Sequence, residues 1–122
     1  MTQLTPDTAH DTLEALDDAA FPVGMAMIVN ETDGSKYLNI YSGSVDLRGP
    51  AQSYRMLRDV LSARPGLVPL PMIRLLSFAR SPEAQMMRGV FGLSGRSDLH
   101  LTNSHINGIL FEDVVLLRAP AN

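Results

Sequence analysis

Apolar positions near the start of the chain follow first a helical and then a strand-like pattern. From Pro6 to Ala20 they recur at three- and four-residue spacing, which predicts one amphipathic helix whose acidic side chains lie on the opposite side. Thr5 precedes this stretch as a hydroxyl cap, and proline suits a first helical turn. Val23 to Asn30 and Lys36 to Ser42 are predicted to form a hairpin, because the Asp33-Gly34 pair between them favours a turn.

The middle of the chain is predicted to be mainly helical. After a loop from Gly43 to Gly49, Pro50 opens an amphipathic helix that ends at Pro65-Gly66. Met72 to Arg80 is apolar and compatible with a helix. Ser81-Pro82-Glu83 has the composition of another helix start, and we expect that helix to reach Phe91.

The carboxyl-terminal quarter returns to strand-like patterns. Leu99 to Thr102 and Ile109 to Leu117 are predicted strands, with Asn103 to Gly108 as their connection. Val114 to Leu117 is continuously apolar, which favours a strand that is buried on both faces. We therefore expect one small α+β domain over residues 1–122, with an N-terminal helix, an antiparallel hairpin, a helical arginine-rich middle and a C-terminal strand pair joining one antiparallel sheet.

Composition narrows the class of protein. Hydrophobic residues make up 45% and charged residues 19% of the 122 residues, which is typical of a globular domain. The chain has no cysteine, so disulfides, thiolate catalysis and cysteine-ligated metals are excluded. It has no apolar stretch of the roughly 20 residues that a membrane-spanning helix requires. We expect a soluble, cytoplasmic protein.

Charge is segregated along the chain. Residues 1–45 carry seven acids and one base, whereas residues 46–97 carry eight arginines and three acids. Residues 98–122 return to three acids and one base, and the total is −3. Such asymmetry indicates that the arginine-rich part meets acidic groups, which are supplied by the chain itself, by another protein or by a nucleic acid.

The first functional hypothesis is a non-enzymatic protein–protein interaction module. We expect an adaptor, an inhibitor or a small homo-oligomer, most simply a homodimer, that uses an arginine-rich surface against acidic partners. Exposed tyrosines bring rigid contact area at low entropic cost and would serve as anchors, although a neighbouring helix more often covers such a face. The candidate partner-binding residues are Arg55, Arg58, Arg74, Arg80, Arg88, Tyr37 and Tyr41.

Two other classes of function remain open. The same arginines could bind a nucleic acid or a phosphate ligand, although the stretch contains no recognised nucleic-acid motif and the isoelectric point is about 5.5. An enzyme would have to use Asp98, His100 and His105, where the carboxylate could orient the imidazole of His100 on the same strand face. Ser94 lacks the glycine spacing of a nucleophile elbow. We predict no catalytic residues, no metal site and no cofactor.

Overall fold

The computed structural model describes residues 4–91, 96 and 98–120. The first half of the chain contains α1 (Pro6–Asp18), β1 (Met25–Asn30), β2 (Lys36–Ser42), α2 (Gly43–Arg48) and α3 (Pro50–Ala63). The second half contains a short 3₁₀ turn (Leu70–Met72), β3 (Ile73–Ser77), α4 (Pro82–Met86), β4 (Leu99–Ile106) and β5 (Ile109–Arg118).

The five strands form one sheet in the order β3-β2-β1-β5-β4. Three of the four strand pairs are antiparallel, namely β1 with β2, β1 with β5 and β4 with β5. The fourth pair, β2 with β3, is parallel. The predicted α+β class is confirmed, and the sheet is mixed where an entirely antiparallel one was expected.

The parallel strand lies where the sequence suggested a helix. The apolar pattern of Met72 to Arg80 is compatible with a helix, but this segment contains β3. A short apolar run has no periodicity that separates a buried strand from a buried helix. Pairing with β2 makes this segment a strand. The connection through α2 and α3 permits the parallel pairing, because it returns the chain to the end of the sheet at which β2 begins.

Side-chain caps mark the starts of α1 and α2, where Thr5 and Ser42 accept hydrogen bonds from backbone N–H groups. Thr5 caps α1, since the backbone N–H of Thr8 donates to its Oγ1 over 3.2 Å while its own N–H donates to Thr8 Oγ1 over 2.9 Å. The expected loop from Gly43 to Gly49 forms α2 instead, and α4 ends at Met86, well short of Phe91. No helix within the described part of the chain is long and apolar enough to cross a membrane.

Alternating residues of the central strands pack into two separate hydrophobic cores, one on each face of the sheet. On one face of the sheet, α1 and α3 cover Leu38 and Ile40, with Leu57 of α3 fully buried among them. On the other face, α4 and the turn after it cover Met27 and Tyr41. The sheet therefore divides the molecule into an α1/α3 side and an α4 side, which determines where each arginine is presented.

The C-terminal hairpin is longer than expected. The predicted connection from Asn103 to Gly108 is wrong, because β4 continues to Ile106 and only Asn107-Gly108 forms the turn. Both turn residues have positive φ, 50° and 85°, as a type I′ hairpin turn requires. The Asn-Gly pair is itself a strong hairpin signal, but the polar residues around Asn103 obscured the strand.

Candidate functional site

The arginines and tyrosines chosen from the sequence do not form one surface. Arg55 and Arg58 lie on α3, whereas Arg74 and the two tyrosines belong to the face of the sheet that α4 partly covers. Arg80 and Arg88 follow β3 and α4, respectively. Because the sheet separates these groups, one flat partner could not contact all of them at once.

The guanidinium group of Arg74 contacts other side chains of the same chain. Its Nε donates to Asn39 Oδ1 over 2.8 Å, and its Nη2 lies 3.1 Å from Glu31 Oε1. The guanidinium carbon is 4.2 Å from the ring centroid of Tyr37, which is a cation–π contact. Arg74 and Tyr37 thus stabilise the exposed end of β2 and are less available to a partner.

Tyr41 lies in the interior. Its side chain is only 2% exposed, and its hydroxyl donates to Glu83 Oε1 over 2.9 Å. Burial, with the nearby negative charge of Glu83 as a second cause, raises the pKa of this phenol above its usual range. Tyr41 therefore joins the sheet to α4 and does not present its ring at the surface, in line with the alternative that a helix covers this face.

Arg80 and Arg88 are exposed but lie apart from α3. The backbone N–H of Arg80 donates to Ser77 Oγ over 2.9 Å, in a loop where the Ser77 hydroxyl also donates to Asp46. Arg88 Nη1 donates to Gln85 Oε1 over 3.3 Å. Both guanidinium groups can be reached from solvent, each on a different part of the surface.

The acids of α1 are largely paired with arginines of the same chain. Arg118 contacts both carboxylate oxygens of Asp17, at 2.9 and 2.7 Å, and Arg64 lies 3.2 Å from Asp18. Arg96 lies 2.9 Å from Asp11 and also contacts Glu14. Much of the charge segregation along the sequence is therefore an internal pairing.

Arg55 and Arg58 differ from these arginines. Both are exposed, and neither has a hydrogen bond or an ion pair with any residue that the structure describes. Their spacing of three residues places them on one side of α3. They form the candidate contact surface, which we call the α3 arginine pair.

The histidines and Asp98 form two separate pairs. Asp98 Oδ1 lies 2.8 Å from Nε2 of His10, and His100 Nε2 lies 2.7 Å from Asp113 Oδ1. The contact between Asp98 and His100 that the enzyme alternative would use is therefore absent, and His105 is exposed with no partner among the described residues. No group of three or more potential metal ligands converges in the described part of the chain. Ser94 lies outside the described residues.

A shallow groove of about 330 Å³ on the α4 side of the sheet was not predicted from the sequence. Its acidic lining consists of Glu31, Glu83, Glu112 and Asp113. Three of these four carboxylates have partners, since Arg74 contacts Glu31, Tyr41 donates to Glu83, and His100 contacts Asp113. The hydrogen bond from His100, followed by that from Asn30, lowers the pKa of Asp113. Among these partners only Arg74 brings a permanent positive charge, so the groove keeps an acidic lining.

Comparison of the chain with protein-family models, curated proteins and solved structures finds no match. Function is therefore inferred from the side chains and surfaces described above. Of these, the α3 arginine pair is the feature that internal contacts explain least.

Proposed function

We propose that this protein is a non-enzymatic protein-binding module that contacts an acidic partner through the α3 arginine pair. One observation carries the proposal. Arg55 and Arg58 are exposed and unpaired among the described residues, whereas four other arginines are bound to carboxylates of the same chain, namely Arg64, Arg74, Arg96 and Arg118.

The chemistry of the pair suits carboxylates on another protein. A guanidinium group offers a planar fork of donors that matches a carboxylate in two-point contact. Two such groups on one helix side would fix the orientation of a partner and speed its approach more than they would add raw affinity. α3 is a firm support, because Leu57 on its other side is fully buried in the core.

Apolar contact area is present close to α3. α2 packs beside α3, and Leu47 of α2 is 84% exposed. Exposed leucine beside charged groups is typical of an interface that combines apolar burial with a polar rim. Leu47 is thus the apolar contact that we assign to the same partner surface.

Binding of a nucleic acid is the competing function. Phosphate binding is strongest where several basic side chains form a continuous patch. Here the sheet separates the arginines, internal carboxylates neutralise four of them, and the whole chain carries a net charge of −3. These features favour a protein partner.

Fluorescence anisotropy with a labelled oligoglutamate peptide tests the proposal, with generic single- and double-stranded DNA and RNA as competing probes at low and near-physiological salt. Arg55→Ala combined with Arg58→Ala should weaken peptide binding roughly tenfold, which corresponds to about 1.4 kcal/mol. Arg64→Ala is the matched control, since it removes an exposed arginine that is already paired with Asp18.

Equal peptide binding by the native protein and the double variant would overturn the proposal. Stronger binding to nucleic acid than to the peptide, with a steep decrease as salt rises, would support the competing function.

A further inference from the structure

The two edges of the sheet are protected differently. At one edge, β3 is five residues long and follows Pro69 and Pro71, and the backbone N–H of Leu75 donates to the hydroxyl of Tyr54 over 2.9 Å. At the other edge, β4 is eight residues long and contains neither proline nor lysine, arginine or an acid. Natural sheets commonly guard exposed edges with such residues, and β4 lacks them, so its segments on either side of Asn103 are suited to pairing with another strand.

An irregularity at Asn103 changes which side chains of β4 share a face. Asn103 has φ 46°, and the ladder passes from the Thr102–Asp113 pair to the Ser104–Phe111 pair, so that Asn103 and the opposite Glu112 are both left out. Leu99 and Leu101 before this point and Ile106 after it all belong to the core on the α4 side. Residues seven positions apart lie on opposite faces of a regular strand, whereas here Leu99 and Ile106 share one face.

The same irregularity determines which backbone groups of β4 face outwards. Ile106 and Ile109 flank the two-residue turn, so their backbone groups bond to each other. In an antiparallel pair, residues on one face bond to the neighbouring strand and residues on the opposite face direct their N–H and C=O groups away from it. Ile106 belongs to the first set, so the residues on the opposite face of β4 direct these groups away from β5. They are His100, Thr102 and His105. In agreement, the carbonyl of Thr102 accepts a hydrogen bond from the hydroxyl of Ser104, over 3.1 Å.

We propose that β4 pairs antiparallel with β4 of a second copy of this chain, with His100 opposite the partner's His105. In this register Leu99 faces the partner's Ile106, and each contact occurs twice about a two-fold axis. Opposite residues then lie on the same face, and the outward backbone groups of one β4 meet those of the other. The segment Leu-His-Leu-Thr-Asn-Ser-His-Ile is nearly self-complementary in this arrangement.

Exposed apolar side chains beside this edge supply contact area. Leu47 of α2 belongs to the surface near α3, and the other large apolar side chains that are exposed among the described residues are Met86, Val90 and Leu110. Leu110 belongs to the hairpin itself, and the side-chain amide of Asn107 donates to the backbone carbonyl of Met86 over 2.7 Å. Burial of such side chains on pairing would add to the hydrogen bonds of the ladder.

This dimer goes beyond the proposed function and does not depend on it. The α3 arginine pair lies on a helix that covers the sheet face, whereas the dimer uses the edge of the sheet. Arg55→Ala with Arg58→Ala should therefore leave the dimer unchanged. A substitution that prevents pairing of β4 should in turn leave binding of the oligoglutamate peptide unchanged. Failure of one proposal can therefore be distinguished from failure of the other.

Cross-linking between two single-cysteine variants tests the register, because the native chain has no cysteine. Opposite residues of a hydrogen-bonded antiparallel pair have Cα atoms about 5.5 Å apart, which a disulfide can span. Mild oxidation of a mixture of His100→Cys and His105→Cys should therefore give a covalent dimer. Either variant alone should give little, since identical positions would lie about 17 Å apart. A mixture of His100→Cys with Gln52→Cys, on α3, is the matched control.

Sedimentation equilibrium of the native protein over a wide concentration range tests the dimer itself. His105→Pro removes one outward N–H without removing a ladder bond to β5, so it should weaken dimerisation at least tenfold while circular dichroism stays unchanged. A native chain that is monomeric at every concentration overturns the proposal. A dimer whose mixed His100→Cys and His105→Cys sample cross-links no more than the control overturns it equally.

Discussion

Nε2 of His10 lies 2.8 Å from Oδ1 of Asp98 and joins α1 to the start of β4 across 88 positions of sequence. The His10 side chain is only 6% exposed, whereas that of Asp98 is 42% exposed. A buried imidazole needs a partner for each ring nitrogen that is withdrawn from water. This contact therefore holds the C-terminal hairpin against the first helix.

Removal of the Asp98 carboxylate should destabilise the protein. Asp98→Ala leaves a buried ring nitrogen of His10 without its partner, which costs about 1–3 kcal/mol of unfolding free energy. Urea denaturation at neutral pH measures this loss. His100→Ala removes a pair in which the imidazole is 59% exposed, and it should cost less than about 1 kcal/mol. Equal losses of unfolding free energy in the two variants would show that the burial of His10 does not increase the contribution of its pair with Asp98.

Gly24 should not tolerate a larger side chain. A Cβ atom at this position would lie 2.3 Å from Cδ1 of Phe78, far inside contact distance. Gly24→Ala should therefore cost about 1–3 kcal/mol of unfolding free energy. Gly43→Ala is the control, because nothing lies within 4 Å of its added Cβ.

A second substitution tests whether the Phe78 ring causes this loss. If it does, Phe78→Ala in the Gly24→Ala background should cost less than Phe78→Ala alone. Additive losses would point to another cause. Chemical denaturation of the two single variants and the double variant provides the comparison.

Asp46 should make stability fall in acid. The hydroxyl of Ser77, followed by the backbone N–H of Ala79, donates to this carboxylate and lowers its pKa below the ordinary 3.8. Because the folded pKa is the lower one, the stabilisation is fully present above the unfolded pKa and is lost as the pH falls through the folded pKa. Asp46→Asn should therefore be less stable than the native protein at neutral pH, and the difference should shrink towards pH ~2.

Unfolding curves at neutral and acidic pH measure this difference. Asp59→Asn, on the exposed part of α3, is the matched control. A constant difference between the native protein and Asp46→Asn over the whole pH range would contradict the assignment.

The hydroxyl of Tyr54 should protect the β3 edge. Tyr54→Phe removes the acceptor for the backbone N–H of Leu75, and we expect a loss of about 1 kcal/mol of unfolding free energy. Amide hydrogen exchange at Leu75 should become faster in this variant. Tyr37→Phe, which keeps its ring beneath Arg74, should leave exchange at Leu75 unchanged. Unchanged exchange at Leu75 in Tyr54→Phe would contradict the protective role.

Elements with signals in their own few residues were predictable. Thr5 and Pro6 mark the start of α1, Asp33-Gly34 marks the first hairpin, and α3 runs from Pro50 to Ala63 close to its expected bounds. Each signal acts through backbone dihedral angles or a local cap, so it needs no knowledge of distant residues.

The candidate contact residues were only partly predictable. Exposure of Arg55 and Arg58 follows from the amphipathic pattern of α3, which was visible in the sequence. The order of the strands determines the rest. It buries Tyr41 under α4 and places Arg74 in hydrogen-bond contact with Glu31 and Asn39. Strand order is a long-range property that local patterns do not encode.

The sequence by itself determined the α+β class, the first helix, the first hairpin and α3, because turn, cap and periodicity signals act over a few neighbouring residues. Tertiary structure alone decided that the apolar run after Met72 is a strand, since its parallel pairing with β2 supplies the backbone hydrogen bonds. It also decided that Asp98 meets His10 and not His100, because packing of α1 against the sheet brings residues 88 positions apart into contact.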